Sequence, residues 1–330
     1  QFYAWNWSGR LLRARQRHWL RVGEKLFKRY ILQEGIPDLI HAHCSLLGGV
    51  LACRVSEEYR VPFVLTEHSS EFARGLVDSS NRQLCSQIFH KASAKISVSN
   101  SLAQILEQEF TSTANSWIYI PNLLGSKFEE VAQTSGLKIE NFVQKREEKM
   151  KFRFLNVALS TAVKGQNYLI DAFARVSKEF EDVELVIGGD GPARVTLEEK
   201  VRRQGLHESV FFLGALSRDQ VLEQMLAADV FVLSSNYETF GIVLIEALAC
   251  GKPVISTRCG GPESIVEKDN GILVMPRDSY ELSKAMMHIK ENTSDYDADA
   301  IRNRCLHRFG RATVVNQIKD TYSLVLGREL

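Results

Sequence analysis

The sequence predicts an α/β chain of two domains, each built on a parallel sheet, and three observations predict it. The chain has 330 residues, more than one hydrophobic core usually organises, so two domains of about 150 residues are expected. Short β-branched runs alternate with helical patterns, the order that yields βαβ units and parallel strands. Between two such series lies Gly136 to Lys151, charged and aperiodic, with the composition of a solvated connector.

The strands follow from their runs. In the first series they are 38–43, 61–67, 95–99 and 117–121; in the second, 152–158, 183–187, 210–213, 230–233, 253–256 and 271–274. The expectation is two Rossmann-like halves, 1–145 and 146–305, followed by a terminal segment 306–330 that reads as a helix from Phe309 to Leu326. The first 37 residues read as helical.

Composition narrows the function. With 41 basic and 40 acidic residues the net charge is +1, so no global field draws in nucleic acid. Six cysteines lack C-x-x-C spacing, which points to reduced thiols and a cytoplasmic setting. No stretch reaches the roughly 20 apolar residues of a spanning helix, so a soluble or membrane-surface protein is expected. The chain begins without Met, and a fragment or trimmed form is expected.

The most informative stretch is Ala228 to Ile255. A buried strand ends at Leu233, a polar loop follows, and an apolar helix opens near Gly241 and stops at Gly251 before Pro253. Such a loop lies at the carboxyl end of a parallel strand, where open α/β sheets bind ligands. The backbone N–H groups of Phe240, Gly241 and Ile242 at the helix start suit a diphosphate without a metal. Glu238 before the helix and Glu246 within it are acceptor-only when ionised, which suits sugar hydroxyls. The plainer reading makes Glu238 a loop residue and Glu246 a solvated helix position.

Glu238, seven residues, then Glu246, in this strand, loop and helix, resembles the E-x7-E signature of family-four retaining glycosyltransferases. The similarity extends over most of Phe152 to Val274. It implies the GT-B fold, two Rossmann-like domains facing across a cleft, here with an amino-terminal domain incomplete at its start. It implies a nucleotide diphosphate sugar as donor, a UDP-sugar by family frequency, with Glu238 on the transferred sugar and Glu246 on the ribose. Val163-Lys164-Gly165 resembles the segment whose lysine binds the diphosphate. Gly189 and Gly191 match the loop beside the nucleotide, Leu213 and Gly214 the backbone that meets the base, and Gly260-Gly261-Pro262-Glu263 the closing element. The family usually has an arginine five residues before the lysine; here that place is Leu159, which leaves phosphate binding chiefly to Lys164 and the helix start, or to an arginine from elsewhere in the fold.

In the first half, Thr66-Glu67-His68 resembles the T-x-H loop whose histidine sits near sugar and acceptor, so His68 is a second catalytic candidate. His41 and His43 share one strand face, but with His68 they fit no tight metal-ligand spacing. No metal and no cofactor is expected, and the family's front-face attack needs no strong general base. The acceptor is expected to be a glycan or lipid-linked molecule in surface polysaccharide synthesis. Residues 9–30 mix basic residues with Trp19, Leu20, Leu26 and Phe27; this fits peripheral contact with an anionic membrane at the inner face of the cell, although a helix packed on the sheet with a solvated basic face is preferred. The terminal helix resembles the segment that crosses back to the first domain.

Three rivals remain. A metal-dependent transferase would use the D-x-D in Asp295 to Asp299, but that run follows a polar turn and reads as a helix cap. A nucleotide-sugar epimerase of similar fold would act without an acceptor. A nucleotide- or glycan-binding module would bind without transfer.

Overall fold

The structure, a computed structural model, describes residues 9–111, 116–133 and 151–329, with side chains described from residue 17. The expected connector therefore lies outside the described residues, except Lys151. The chain forms two compact units, Gln1–Ile120 with Asn316–Leu330, and Pro121–Val315.

The first unit contains α1 (Gly9–Glu34), β1 (Ile40–His43), α2 (Val50–Tyr59), β2 (Phe63–Glu67), α3 (Ser79–Lys91), β3 (Ala94–Ser97), α4 (Asn100–Glu109) and β4 (Trp117–Tyr119). Its strands form one parallel sheet in the order β1-β2-β3-β4. Caps start the helices: Asp78 accepts from the Asn81 N–H before α3, and Ser99 from the Leu102 N–H before α4. Phe72, Phe89, Phe110 and Trp117 pack together in the core with centroids 4.9 to 6.2 Å apart, edge to face except for the tilted pair Phe72–Phe89.

Helix α1 keeps its described basic side chains in water, as expected, but most of its described apolar residues are not covered. It packs against α2; a Cβ at Gly23 would stand 2.6 Å from Leu51 Cδ2, so small size at that position permits the approach. Leu20 is buried, but Trp19, Val22, Leu26 and Tyr30 are exposed in one stripe.

The second unit contains α5 (Ser126–Gln133), β5 (Phe152–Val157), α6 (Gln166–Glu179), β6 (Val183–Gly188), α7 (Arg194–Arg203), β7 (Val210–Gly214), α8 (Arg218–Ala227), β8 (Val230–Leu233), α9 (Ile242–Ala249), β9 (Val254–Thr257), β10 (Gly271–Val274), α10 (Ser279–Glu291) and α11 (Ala298–Phe309). The last helix, α12 (Arg311–Leu326), contributes its residues from Asn316 to the first unit. The sheet is parallel, in the order β10-β9-β8-β5-β6-β7. Helices α6, α7 and α10 cover one face, burying Leu169, Phe173, Val176, Leu197, Leu282 and Met286 against Phe154, Leu185, Ile187 and Val232. Each such side chain contributes about 1.5–3 kcal/mol when fully buried.

The division at Ile120 corrects the expected boundary at 145. Composition marks a change in solvation, whereas packing decides membership, and Phe128 and Val131 of α5 are buried where that helix meets α9 and α11. For the same reason α11 stays with the second unit, its Phe309 ring 5.9 Å from that of Phe240, so the terminal segment changes unit at Asn316 and not at 306. Asp297 caps α11, accepting from the N–H groups of Asp299 and Ala300, which accounts for the D-x-D run.

Candidate active site

The strand order of the second unit reverses between β5 and β8. At that switch point the connections leave the sheet in opposite directions, opening a crevice at the carboxyl ends of the two strands. The loops after β5 and β8 carry Lys164 and Glu238, and the structure brings them together, with Lys164 Nζ 2.7 Å from Glu238 Oε1. Backbone bonds hold the loops in register. The Asn236 N–H donates to the Val163 carbonyl at 2.7 Å, the Asn236 side chain to Ala162, and the Ser234 hydroxyl to Lys164. Gly165 makes this possible: it has φ 61°, and a Cβ there would stand 2.0 Å from the Ser234 carbonyl oxygen.

Glu238 is fixed from its other side by the loop after β9. Its N–H donates to Cys259 and its carbonyl accepts from Gly261. Glu263 turns back to accept from the Gly260 N–H at 3.0 Å, so this carboxylate shapes the loop that holds Glu238. Gly261 leaves room for Phe240, whose backbone would lie 2.3 Å from an added Cβ. Burial pushes the Cys259 thiol up to about 12, so it stays protonated beside the pair and is no nucleophile.

Helix α9 begins at Gly241, whose φ of 102° few side chains tolerate. Phe240 is buried and Ile242 exposed. The first N–H groups of a helix lack intrahelical partners, so this end presents donors and positive potential. Glu246, expected on a solvated or ribose-facing position, is fully buried and ion-paired with Arg218. Burial pushes its carboxyl up from the ordinary value, and the hydrogen bond and charge of Arg218 oppose that rise. Arg218 was not visible as a site residue in the sequence; at the start of α8 it reads only as the residue after a capping serine.

Gly189 and Gly191 adopt φ 114° and 155°, and Cβ atoms there would stand 1.9 Å from the Ala158 and 2.6 Å from the Ser160 carbonyl oxygens. They press the β6 loop onto the β5 loop. Leu213 is exposed, and Gly214 accepts from the Gly189 N–H at 2.7 Å. Leu159 is 62% exposed at the crevice loop, an apolar side chain with no charge to give a phosphate.

His68 belongs to the first unit. Its Nε2 lies 2.9 Å from His43 Nδ1, and the rings of His41, His43 and His68 stack in series, with centroids 4.5 and 5.2 Å apart. Both nitrogens of His41 are taken, by Tyr322 at 2.6 Å and Thr66 at 2.7 Å. Burial first, then the neighbouring imidazoles, lowers His41 to about 4. Fully buried Glu67 ties the adjoining loops together, accepting from Ser45 N–H and hydroxyl and from the His68 and Ser69 N–H groups. Among the described residues no group of three His, Cys, Asp or Glu is disposed to hold a metal ion.

Two comparisons meet this geometry. The family model for glycosyl transferases group 1 matches residues 138–304, which include both carboxylates, Lys164 and the crevice, and the model for glycosyltransferase family 4 matches residues 5–124. The chain belongs to the glycosyl transferases group 1 family. Among the proteins it resembles, the glycogen synthase of Mycobacterium tuberculosis is 27% identical over 311 residues, 92% of this chain and 72% of that protein. The N-acetyl-alpha-D-glucosaminyl L-malate synthase of Bacillus anthracis is 27% identical over 88% of this chain and 75% of its own. The chain spans 63% to 75% of the length of the first five relatives. The crystal structure of Anabaena HepE in complex with UDP superposes with a TM-score of 0.80 at 26% identity, covering 92% of this chain and 82% of that one. The group 1 chain thus has the GT-B architecture of two parallel-sheet α/β units. Among its described residues no helix is long and apolar enough to cross a membrane.

Proposed function

We propose that this chain is a retaining glycosyltransferase that moves a sugar from a nucleoside diphosphate sugar to a glycan or lipid-linked acceptor. The observation that carries the proposal is the Lys164–Glu238 pair at the strand-order switch, beside the start of α9. In the pair each charge neutralises the other. A donor diphosphate offers Lys164 a stronger anion, and Glu238 is then free to accept from hydroxyls of the transferred sugar. The N–H groups of Phe240, Gly241 and Ile242 stabilise charge that develops on the leaving phosphate. With Leu159 in place of an arginine, this helix end carries more of that task. Glu246 takes the ribose, and the backbone of Leu213 and Gly214 the base. His68, from the first unit, serves the acceptor hydroxyl, with the leaving phosphate as proton acceptor. Rate then comes from positioning and from charge stabilisation, and no metal or cofactor takes part.

A UDP-sugar is the favoured donor, in keeping with the UDP-glucose complex of HepE. The exposed stripe Trp19, Val22, Leu26 and Tyr30 supports peripheral contact of α1 with anionic lipid, to be checked by co-sedimentation with phosphatidylglycerol vesicles.

The test is Glu238→Ala. Transfer from a UDP-sugar is expected to fall at least about tenfold while UDP binding survives, because positioning of the sugar is lost and the diphosphate contacts remain. Full activity in that variant removes Glu238 from the mechanism. Activity abolished by excess EDTA overturns the metal-free reading, and conversion of the UDP-sugar without acceptor favours an epimerase.

A further inference from the structure

Three helices converge on one ion pair in the second unit. Arg218 opens α8, directly after Ser217, whose side chain and that of Gln220 close a capping box. Its Nη2 donates to Glu246 Oε1 on α9, and its guanidinium lies 5.2 Å from the centroid of the Phe128 ring on α5. Beside it Lys127 of α5 pairs with Asp219 of α8. The pair is lopsided: the Arg218 side chain is 60% exposed and that of Glu246 is 0% exposed. Of the two carboxylate oxygens only Oε1 is engaged, and Oε2, fully buried, has no partner among the described residues.

A buried carboxylate oxygen left without a donor is costly, and its presence calls for a reason. We infer that Arg218 is a positioning residue for the ribose site, anchoring Oε1 of Glu246 so that Oε2 stays ionised and turned to receive a ribose hydroxyl of the nucleoside diphosphate. The inference rests on the assignment of Glu246 to the ribose made above. The chemistry is complementary: an ionised carboxylate only accepts, a ribose hydroxyl donates, and the remaining guanidinium N–H groups can meet the oxygen of the same hydroxyl. Lysine would supply the charge but not the planar fork.

The groups around Glu246 leave Arg218 as its cation. From α5 the neighbour is the Phe128 ring. Directly after α9 Cys250 is held protonated, its thiol pushed up to about 12 by burial. From α11, Arg302 lies against Gly251 and pairs with Asp299. Among the described residues Arg218 is the group that opposes the burial raising the Glu246 carboxyl, so without it protonation reaches to higher pH.

The experiment measures binding of UDP and of 2′-deoxy-UDP to the whole chain by calorimetry across pH 5 to 8. The unaltered protein is expected to prefer UDP about tenfold, the worth of one charge-assisted hydrogen bond. In Arg218→Gln that preference falls to about twofold or less, and the acid limb of UDP binding moves to higher pH; Arg218→Lys restores the limb but only part of the preference. Because Arg218→Gln leaves a buried carboxylate unpaired, the double variant Arg218→Gln/Glu246→Gln is measured beside it and is expected to show no further loss of preference. A full UDP preference with an unmoved acid limb in Arg218→Gln overturns the inference, as does an equal loss of both ligands. Glu246→Gln separates the two readings: a preference that survives there removes the ribose assignment itself, and the role of Arg218 with it.

Discussion

The two units place their chemistry-bearing side chains by opposite means. At the crevice of the second unit, charges are set in pairs, Lys164 with Glu238 and Arg218 with Glu246, on loops pinned by backbone hydrogen bonds and by glycines with no room for a Cβ. In the first unit the candidate groups are stacked imidazoles, with His41 held neutral by burial and by neighbours that would repel a second charge. The contrast fits the proposed tasks. A site for a dianionic leaving group needs fixed positive charge and donors. A site for a neutral hydroxyl does better with weakly basic rings that leave the proton to the departing phosphate.

The largest effect expected from breaking this contrast is on the backbone of the second unit. Gly165→Ala combines a left-handed φ with a carbonyl in the space of its Cβ, and is expected to cost roughly 3 kcal/mol or more of stability in urea unfolding. Gly35→Ala, also at positive φ but with nothing within 4 Å, is the counterpart in the first unit and is expected to cost only about 1 kcal/mol.

Acid is expected to act next, on the first unit. The folded state lowers His41 to about 4 from an ordinary value of 6.5, so folding favours the neutral ring. Its contribution is complete above pH 6.5 and is lost as pH falls towards 4. After a discount for the partly exposed ring it amounts to about 2 kcal/mol. Thermal melts of His41→Gln should show a flatter acid limb; an unchanged limb would mean that the ring is not held neutral.

Lys164→Ala is expected to weaken UDP binding about tenfold, near 1.4 kcal/mol, with little change in melting temperature, because the pair is partly exposed. A smaller loss would shift the phosphate site wholly to the start of α9. The smallest effect is expected from Glu246→Gln. Its carboxyl is raised in the folded state, so the contribution of this group to stability is full below its unfolded value and is lost as pH rises through the folded one. At neutral pH the uncharged isostere should therefore raise stability, by about 1 kcal/mol or less, even as ribose recognition is lost. A destabilised Glu246→Gln would instead make the ion pair structural.

Residues distant in sequence separate what could be read early from what could not. The strands lie where β-branched runs placed them, because hydrophobic periodicity is a local property and parallel strands are buried on both faces. The crevice was legible for a related reason: Gly241, Glu238 and Lys164 each lie on a connection that follows a strand, the place where open α/β sheets bind ligands. Arg218 was not, since its partner lies 28 residues away on another helix and nothing in its own neighbourhood singles it out. Nor was the burial of Glu246, which comes from α5 and α8 closing over α9 and not from the pattern of α9 itself.

By itself, then, the sequence determined the α/β class and the runs that become strands, and it singled out the carboxylates and lysine proposed for a ligand, because these depend on residue type and short-range period. The tertiary structure alone decided where the units divide, which cation each carboxylate keeps, and that His41 is tied to Tyr322 at the far end of the chain. Those outcomes depend on which surfaces meet and exclude water, and the strength and protonation of a charge pair are set by that exclusion.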